Sequence, residues 1–343
     1  MSKILYGVAG QGAGHSIRSY EVISYLKNQG HDVKIVSHDT GFENLSKDFE
    51  VEEIAGLNFY YKNNQVKYFR TLLVNQLKFF KLSKGFKKIV KIINSFQPDV
   101  VITDFEPLTA LAANYKKVKL LSIDNQHTIS NAKIEVPKKY FISYFLARLA
   151  INLIIPKASA YFSISFFFPK VTHKKTRLFH PIVRSDIYKL ATAKEDYIFV
   201  YSTSKAEKLS EVLKKTDQKY IIYGYDKEEV DGNLTYRKAD KQKFAQELAR
   251  AKAVIASAGF TLISEALYLK KPYLAIPVEK QFEQIVNAYY LKKLGYGNYF
   301  DEIDLTNIKS FIDNIDKYNA KLANYKSQDN SKLLEAVESF VLK

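Results

Sequence analysis

Short, nearly continuous apolar runs alternate with helical patterns along this chain, and they do so in two separate series. The first series opens with KILYGVAG, passes through a helix from about Ser16 to Asn28 that stops at Gly30, and returns to an apolar run at DVKIVS. DVVITD (Asp99 to Asp104) and KLLSID (Lys119 to Asp124) follow, separated by a helical LTALAAN after Pro107. Runs that are apolar throughout, instead of alternating with polar residues, predict strands covered on both faces, as in a parallel sheet. The second series begins at DYIFVYSTS (Asp196 to Ser204) and continues through KYIIYG, NLTYR, AKAVIASAG and KPYLAIPV. A chain of 343 residues accommodates two domains of ordinary size. The pattern therefore predicts an α/β protein with two Rossmann-like domains. Their expected bounds are 1–185 and 196–343, with the last helix free to return to the N-terminal domain.

Gly7, Gly10, Gly12 and Gly14 fall at the end of the first strand, and His15, Ser16 and Arg18 open the helix that follows. Glycines let a backbone turn tightly and approach a ligand, while the N–H groups and positive dipole end of a helix favour an anion. A dinucleotide site is the obvious rival, and Asp39 even stands at the end of the second strand where a ribose acceptor belongs. The spacing, however, is GxGxGH and not GxGxxG, with a His at the helix start. A neutral imidazole there can take a proton from a substrate hydroxyl, provided that a partner orients it. Asp104 is the candidate partner, because it ends a strand of the same expected sheet and the carboxyl ends of parallel strands converge on the ligand crevice. The competing reading of Asp104 is a turn cap before Pro107. Asp104-Phe105-Glu106 also sets two carboxylates at a strand end, but without a third ligand it is read as no metal site.

The second series carries its own constellation in Ala256 to Gly297. A strand ends at Ala256, Ser257 and Gly259 make a tight turn, and a helix begins near Thr261 whose amino end can hold a phosphate. Glu265 lies about a turn and a half into that helix, where its carboxylate can accept hydrogen bonds from a ribose diol. After the strand ending at Pro277, the loop and the next helix supply Glu279, Glu283, Gln284 and Asn287, side chains suited to sugar hydroxyls.

Taken together, Ser257, Gly259, Ser264, Glu265, Pro272, Pro277, Glu283, Gln284, Asn287 and Ala288 resemble the pattern of the GT-B nucleotide-sugar glycosyltransferases, particularly glycosyltransferase family 28 and its relatives. These include a peptidoglycan branch that glycosylates a lipid intermediate, and the UDP-glucuronosyl and plant branches. GQGAGHSIR is similar to the family's glycine loop with its His, and PDVVITDFEP is similar to the segment that supplies an Asp in the plant and glucuronosyl branches. The resemblance implies a GT-B fold of two Rossmann-like domains facing a central cleft. It implies His15 as general base and Asp104 as its orienting partner. Gly12, Gly14, Ser257, Gly259 and Phe260 would lie at the donor diphosphate, Glu265 at the ribose, and Glu283 and Gln284 at the donor sugar. Ser202, Thr203, Ser204 and Lys205 are possible phosphate contacts, although that loop lacks the Gly-Gly pair of some relatives. Ser257 stands where the glucuronosyl and plant branches have His.

Charge adds a partner. The chain has 52 basic and 36 acidic residues, and two acid-free stretches, 54–98 and 136–185, hold nine basic residues each; without those eighteen the rest has 34 basic against 36 acidic. In the first stretch, Phe79, Leu82, Phe86, Ile89 and Ile93 recur at helical spacing, with Lys81, Lys84, Lys88 and Lys91 on the opposite face. One reading is an ordinary surface helix docked through its apolar strip. The other is a cationic surface that meets anionic lipid, favoured by interleaved aromatics such as Phe59, Tyr60, Tyr68 and Phe69 and by the basic, apolar segment Tyr140 to Pro156. That segment is interrupted by Arg148 and is too short to span a bilayer. Nucleic acid would suit the charge, but no nucleic-acid motif accompanies it, so no specific nucleic-acid partner is expected. The chain contains no cysteine, which excludes disulfides and thiolate chemistry. Met1 leads directly into a strand-like run without a leader pattern, so the expected location is the cytoplasm, peripheral on the cytoplasmic face of the membrane.

The resulting expectation is an inverting, metal-independent glycosyltransferase. It would need no cofactor, using a UDP-sugar as co-substrate and a hydroxyl of a membrane-associated or cell-envelope acceptor. Two alternatives stand beside it: an enzyme like UDP-N-acetylglucosamine 2-epimerase, and a non-catalytic basic membrane-binding protein with a nucleotide-sugar pocket.

Overall fold

The apolar runs of the first series become a seven-stranded sheet in which every pair of neighbours is parallel. In this computed structural model all residues are described except 57–60, 63–64, 67–78, 203–205, 279–280 and 301–302. The chain divides into two units, Met1–Ile182 with Asp329–Lys343, and Val183–Gln328.

In chain order the strands of the first unit are β1 (Lys3–Val8), β2 (Asp32–Ser37), β3 (Val51–Glu53), β4 (Tyr61–Lys62), β5 (Gln65–Val66), β6 (Val100–Asp104), β7 (Lys119–Asp124), β8 (Ala132–Lys133), β9 (Ala160–Ile164), β10 (Lys170–Val171) and β11 (Thr176–Phe179). Its helices before the second unit are α1 (Ala13–Asn28), α2 (Asp39–Leu45), α3 (Phe79–Phe96), α4 (Pro107–Lys116), α5 (His127–Asn131) and α6 (Phe141–Ile154). The main sheet has the order β11-β9-β7-β6-β1-β2-β3. Strand order thus reverses between β1 and β6, the place where an open parallel sheet leaves a crevice beyond its carboxyl ends. Val8 and Asp104 are register partners at that edge, and Ala9 N–H donates to Asp104 O at 3.1 Å.

The buried residues follow from this layering. β1 is buried from Ile4 onward and β6 throughout, as the unbroken apolar runs require of strands with helices on both faces. Ile89, Ile92 and Ile93 of α3 join Leu5, Val101, Leu108 and Ala112 in one core cluster, with Leu82 and Phe86 packed against it. Helix α4 starts where Pro107 occupies its first turn and the Glu106 carboxylate accepts the N–H groups of Leu108 and Thr109, and it ends at Lys117 in a left-handed conformation.

The second unit repeats the plan. Its strands are β12 (Ile198–Tyr201), β13 (Tyr220–Tyr223), β14 (Glu229–Asp231), β15 (Leu234–Arg237), β16 (Ala253–Ser257), β17 (Tyr273–Ile276) and β18 (Gly297–Tyr299). Its helices are α7 (Ser185–Tyr188), α8 (Ala206–Leu213), α9 (Lys241–Arg250), α10 (Phe260–Tyr268), α11 (Phe282–Lys293), α12 (Leu305–Asp313) and α13 (Ile315–Ala323). The sheet order β14-β15-β13-β12-β16-β17-β18 is parallel except for the edge strand β14, and it reverses between β12 and β16. The final helix, α14 (Ser331–Val341), belongs to the first unit. There His31 Nε2 lies 3.0 Å from both carboxylate oxygens of Glu338, and Lys119 Nζ donates to Phe340 O at 2.7 Å.

Candidate functional site

In the first unit the site grows from the β1–α1 turn. Helix α1 begins at Ala13, three residues earlier than its pattern suggests, because Gly12 takes φ 82° as its cap and Gly14 is accepted in the first turn. His15 is thereby held inside the first turn and beside the end of β6. Its Nδ1 lies 2.8 Å from Asp104 Oδ1. The turn is shaped by His38, whose Nε2 accepts the Gly10 N–H at 3.3 Å. A Cβ on Gly10 would stand 2.1 Å from His38 O, and one on Gly56 2.0 Å from the His38 ring, so both positions need glycine.

Arg18 was not among the expected site residues, yet it is bound to both members of the pair. It follows His15 by one helical turn, is 4% exposed, and donates from Nε to Asp104 Oδ2 at 2.7 Å and from Nη2 to Asp104 Oδ1 at 2.5 Å. Its Nη1 donates to Asn125 Oδ1 at 2.8 Å, and Ser19 Oγ completes the carboxylate's shell at 2.9 Å. Burial alone would raise the Asp104 pKa, but the Arg18 guanidinium and His15 outweigh it and hold the carboxyl at about 2. Asp104 is therefore a charged acceptor at neutral pH, and not a turn cap. The cap is Glu106, whose oxygens also take the Thr109 hydroxyl; burial raises its pKa, with the Thr109 bonds opposing.

Two neighbours compete for His15 Nδ1, since Arg18 Nη2 is also 2.8 Å away. Arginine can only donate and an ionised carboxylate can only accept. Arg18 Nη2 carries two N–H groups, so the two contacts correspond to two tautomers: Nδ1–H donating to Asp104 Oδ1, or Nδ1 accepting from Arg18 with the proton on Nε2. The first of these, with the proton on Nδ1, keeps the lone pair on Nε2. This is the arrangement a general base requires.

In the second unit the loop between β16 and α10 is pinned through its carbonyls: Tyr273 Oη donates to Ser257 O at 2.6 Å and Asn287 Nδ2 to Ala258 O at 3.0 Å. Gly259 is the residue before α10, which starts at Phe260, one residue before the expected Thr261. The Phe260 side chain is buried, so any phosphate contact it makes is through its backbone. Glu265 is buried and gripped by the Arg184 fork, Nε to Oε1 at 2.7 Å and Nη2 to Oε2 at 3.2 Å. Arg184 was counted with the acid-free, N-terminal basic stretch. It lies instead in the second unit with its charge matched by Glu265. Gln284 braces the loop before α11, accepting the Val278 N–H at 3.0 Å and donating to Gln281 Oε1 at 2.5 Å. Glu283 sits in the first turn of α11. Ser202 follows β12 at the point of strand-order reversal; Thr203, Ser204, Lys205 and Glu279 lie outside the described residues.

The charged face expected for the first basic stretch is present on α3. Lys81, Lys84, Lys88 and Lys91 are exposed, but Lys88 is partly committed, 3.3 Å from Glu52 and donating to Glu53 O at 2.9 Å. Phe59, Tyr60, Tyr68 and Phe69 lie outside the described residues. The apolar strip of α3 packs on the core, leaving Phe80 exposed at its start, and a larger set of exposed apolar side chains lies on α6. On α6, Phe141, Ile142, Phe145, Leu146, Leu149 and Leu153 are each 50 to 75% exposed. Among the described residues no helix is long and apolar enough to cross a membrane.

The sequence pattern of glycosyl transferase family 1 matches residues 2–316. The chain belongs to that family. Glycosyl transfer is thus its chemistry, as the resemblance implied. A relative from Clostridium botulinum strain Alaska E43, the UDP-N-acetylglucosamine–N-acetylmuramyl-(pentapeptide) pyrophosphoryl-undecaprenol N-acetylglucosamine transferase, is 26% identical over 335 residues, covering 86% of this chain and 84% of its own. Among solved structures, MurG of Acinetobacter baumannii aligns with TM-score 0.64 at 15% identity, over 99% of this chain and all of its own. A UDP-glucosyltransferase from Polygonum tinctorium aligns with TM-score 0.70 at 11% identity, over all of this chain and 99% of its own. This glycosyltransferase therefore has the GT-B fold, with two Rossmann-like domains.

Proposed function

We propose that this glycosyltransferase moves a sugar from a UDP-sugar to a hydroxyl of a lipid-linked acceptor, with inversion at the anomeric carbon. The observation that carries the reading is the His15–Asp104 pair, set at the strand-order reversal of the first unit, whose Nδ1–H tautomer leaves Nε2 to accept a proton. His15 Nε2 takes the acceptor O–H proton as that oxygen attacks the anomeric carbon. The bond from that carbon to the diphosphate oxygen breaks on the opposite face, releasing UDP. Asp104 holds the ring and stabilises the imidazolium that forms. In the second unit the amino end of α10, at Ser257, Gly259 and Phe260, receives the diphosphate and stabilises the charge it gains as it leaves. Glu265, aimed by Arg184, accepts the ribose hydroxyls, while Glu283 and Gln284 meet the donor sugar. No step of this scheme calls for a metal ion. The nucleotide and the lipid-linked acceptor are supported by the name of the Clostridium relative.

The same reading places the enzyme peripherally on the cytoplasmic face of a membrane. Helix α6 carries exposed Phe, Leu and Ile side chains between Lys138, Lys139 and Lys157, in a stretch without a single acid. Such a helix lies in the interface, its apolar side among acyl chains and the flanking cations against anionic headgroups. Lys81, Lys84 and Lys91 add charge of the same sign.

The test is turnover of a radiolabelled UDP-sugar panel with membrane extract as acceptor source, with the anomeric configuration of the lipid product read by proton NMR. Transfer giving the inverted anomer is expected. Hydrolysis of the donor without transfer, or a retained anomer, contradicts the proposal.

A further inference from the structure

Asp104 is followed by a residue of unusual backbone. Phe105 has φ 54°, in the left-handed region that a bulky side chain rarely adopts and keeps only where its surroundings over-determine it. Thr103 Oγ1 ties the turn to Glu106 N–H and O, both at 2.9 Å, the side chain packs against the core cluster, and two imidazoles flank the ring. The His15 ring stacks on Phe105, with 6.5 Å between centroids and 16° between planes. The His127 ring meets Phe105 edge-on, at 6.2 Å and 73°.

His127 is itself firmly held. Its Nδ1 lies 2.7 Å from Asp124 Oδ2, its backbone N–H donates to Asp124 Oδ1 at 2.8 Å, and Ser122 Oγ donates to the same carboxylate at 2.6 Å. Tyr161 packs on the ring at 4.5 Å. Burial alone would raise the Asp124 pKa, but His127 beside it wins and keeps it low, so the carboxylate accepts and His127 Nδ1 donates. The other ring nitrogen, Nε2, is buried with no hydrogen-bond partner. A ring needed only for its volume would be better as an apolar one. An imidazole anchored through Nδ1 does what an apolar ring cannot, which is to present its edge in one fixed direction.

The two His–Asp pairs stand side by side, since Asp104 and Asp124 end adjacent parallel strands, and Arg18 bridges Asp104 to Asn125. We propose that His127 and Phe105 are positioning residues for the base: the anchored edge of His127 holds Phe105 in its left-handed backbone, and the face of Phe105 fixes the plane of the His15 ring and so its Nδ1–H tautomer. This rests on the reading of His15 as the base.

The experiment reads the His15 imidazole nitrogens by long-range proton–nitrogen NMR in the full-length protein, assigned through His15→Ala, beside steady-state kinetics. In the wild type His15 is expected as the single Nδ1–H tautomer. In His127→Leu and in Phe105→Gly, which retains a backbone glycine adopts without strain, the nitrogen shifts are expected to move toward a mixed tautomer. Turnover should fall about 10- to 100-fold with the donor KM within about twofold, the scale on which a slightly misplaced catalytic group acts. His127→Gln, which keeps an N–H for Asp124, should recover part of both effects. Should His127→Leu fail to fold, Phe105→Gly decides alone. Unchanged His15 shifts and turnover in Phe105→Gly overturn the inference. Retained turnover in His15→Ala would instead remove the base reading, with the tautomer result still deciding whether Phe105 orients the ring.

Discussion

Arg18 and Arg184, one in each unit, each grip a buried carboxylate. Arg18 leaves Asp104 no unsatisfied oxygen. Removing one partner of such a pair strands the other charge in the interior, so Arg18→Ala is expected to cost about 3 to 5 kcal/mol in urea unfolding. Arg18→Met combined with Asp104→Asn should cost clearly less than the sum of the two single changes, because neither charge is then left alone. Asp104 also sets an acid limit. Its folded pKa of about 2 lies below the 3.8 of a free carboxyl, so its contribution is complete above about pH 4 and disappears as pH falls toward 2. That contribution is on the order of 2 kcal/mol, and unfolding free energies at pH 5 and pH 2.5 should differ less in Asp104→Asn than in the wild type. For Arg184, replacement by Lys keeps the charge but loses the planar fork on Glu265. Arg184→Lys is expected to raise the donor KM about 10-fold with turnover within about threefold. An unchanged donor KM would detach Glu265 from the donor.

At the scale of elements, α6 and the glycine turn make the sharpest predictions. Phe145→Asp with Leu149→Asp changes only exposed positions of α6, so the melting temperature should stay within about 2 °C. Flotation with phosphatidylglycerol vesicles should fall at least about 10-fold, as two interfacial anchors are lost. Equal flotation would place membrane contact elsewhere. Gly10→Ala forces a methyl against His38 O, and is expected to cost about 1 to 3 kcal/mol as overpacking does. The strands were legible in advance because parallel strands buried on both faces must be apolar throughout, which is why KLLSID coincides with β7. Strand β14 was not, since Glu229-Val230-Asp231 is an exposed antiparallel edge with no apolar run to mark it. His15 and Asp104 were legible because strand ends and a glycine turn announce a crevice. Arg18 had a signal, its spacing of three from His15 on one helical face, but in a count of charges it was lost among the balanced remainder. Arg184 had none, because its partner Glu265 is 81 residues away and a lone arginine after a basic stretch reads as surface charge.

For the whole molecule, the net charge of +16 is what remains after carboxylates match cations such as Arg18, Arg184 and Lys88. Exposed lysines on α3 and around α6 display part of that excess. The displayed part is what an anionic surface would meet. Donor binding should appear as stabilisation without any acceptor: a nucleotide present at a hundredfold excess over its Kd adds about 2.7 kcal/mol. UDP is expected to raise the melting temperature and Glu265→Ala to abolish the rise. Whether His15 is the base for glycosyl transfer is read most directly from the turnover of His15→Ala with a UDP-sugar and lipid acceptor. A fall of about 10² to 10⁴-fold is expected, with the UDP affinity unchanged. Turnover within about threefold of the wild type would contradict that role.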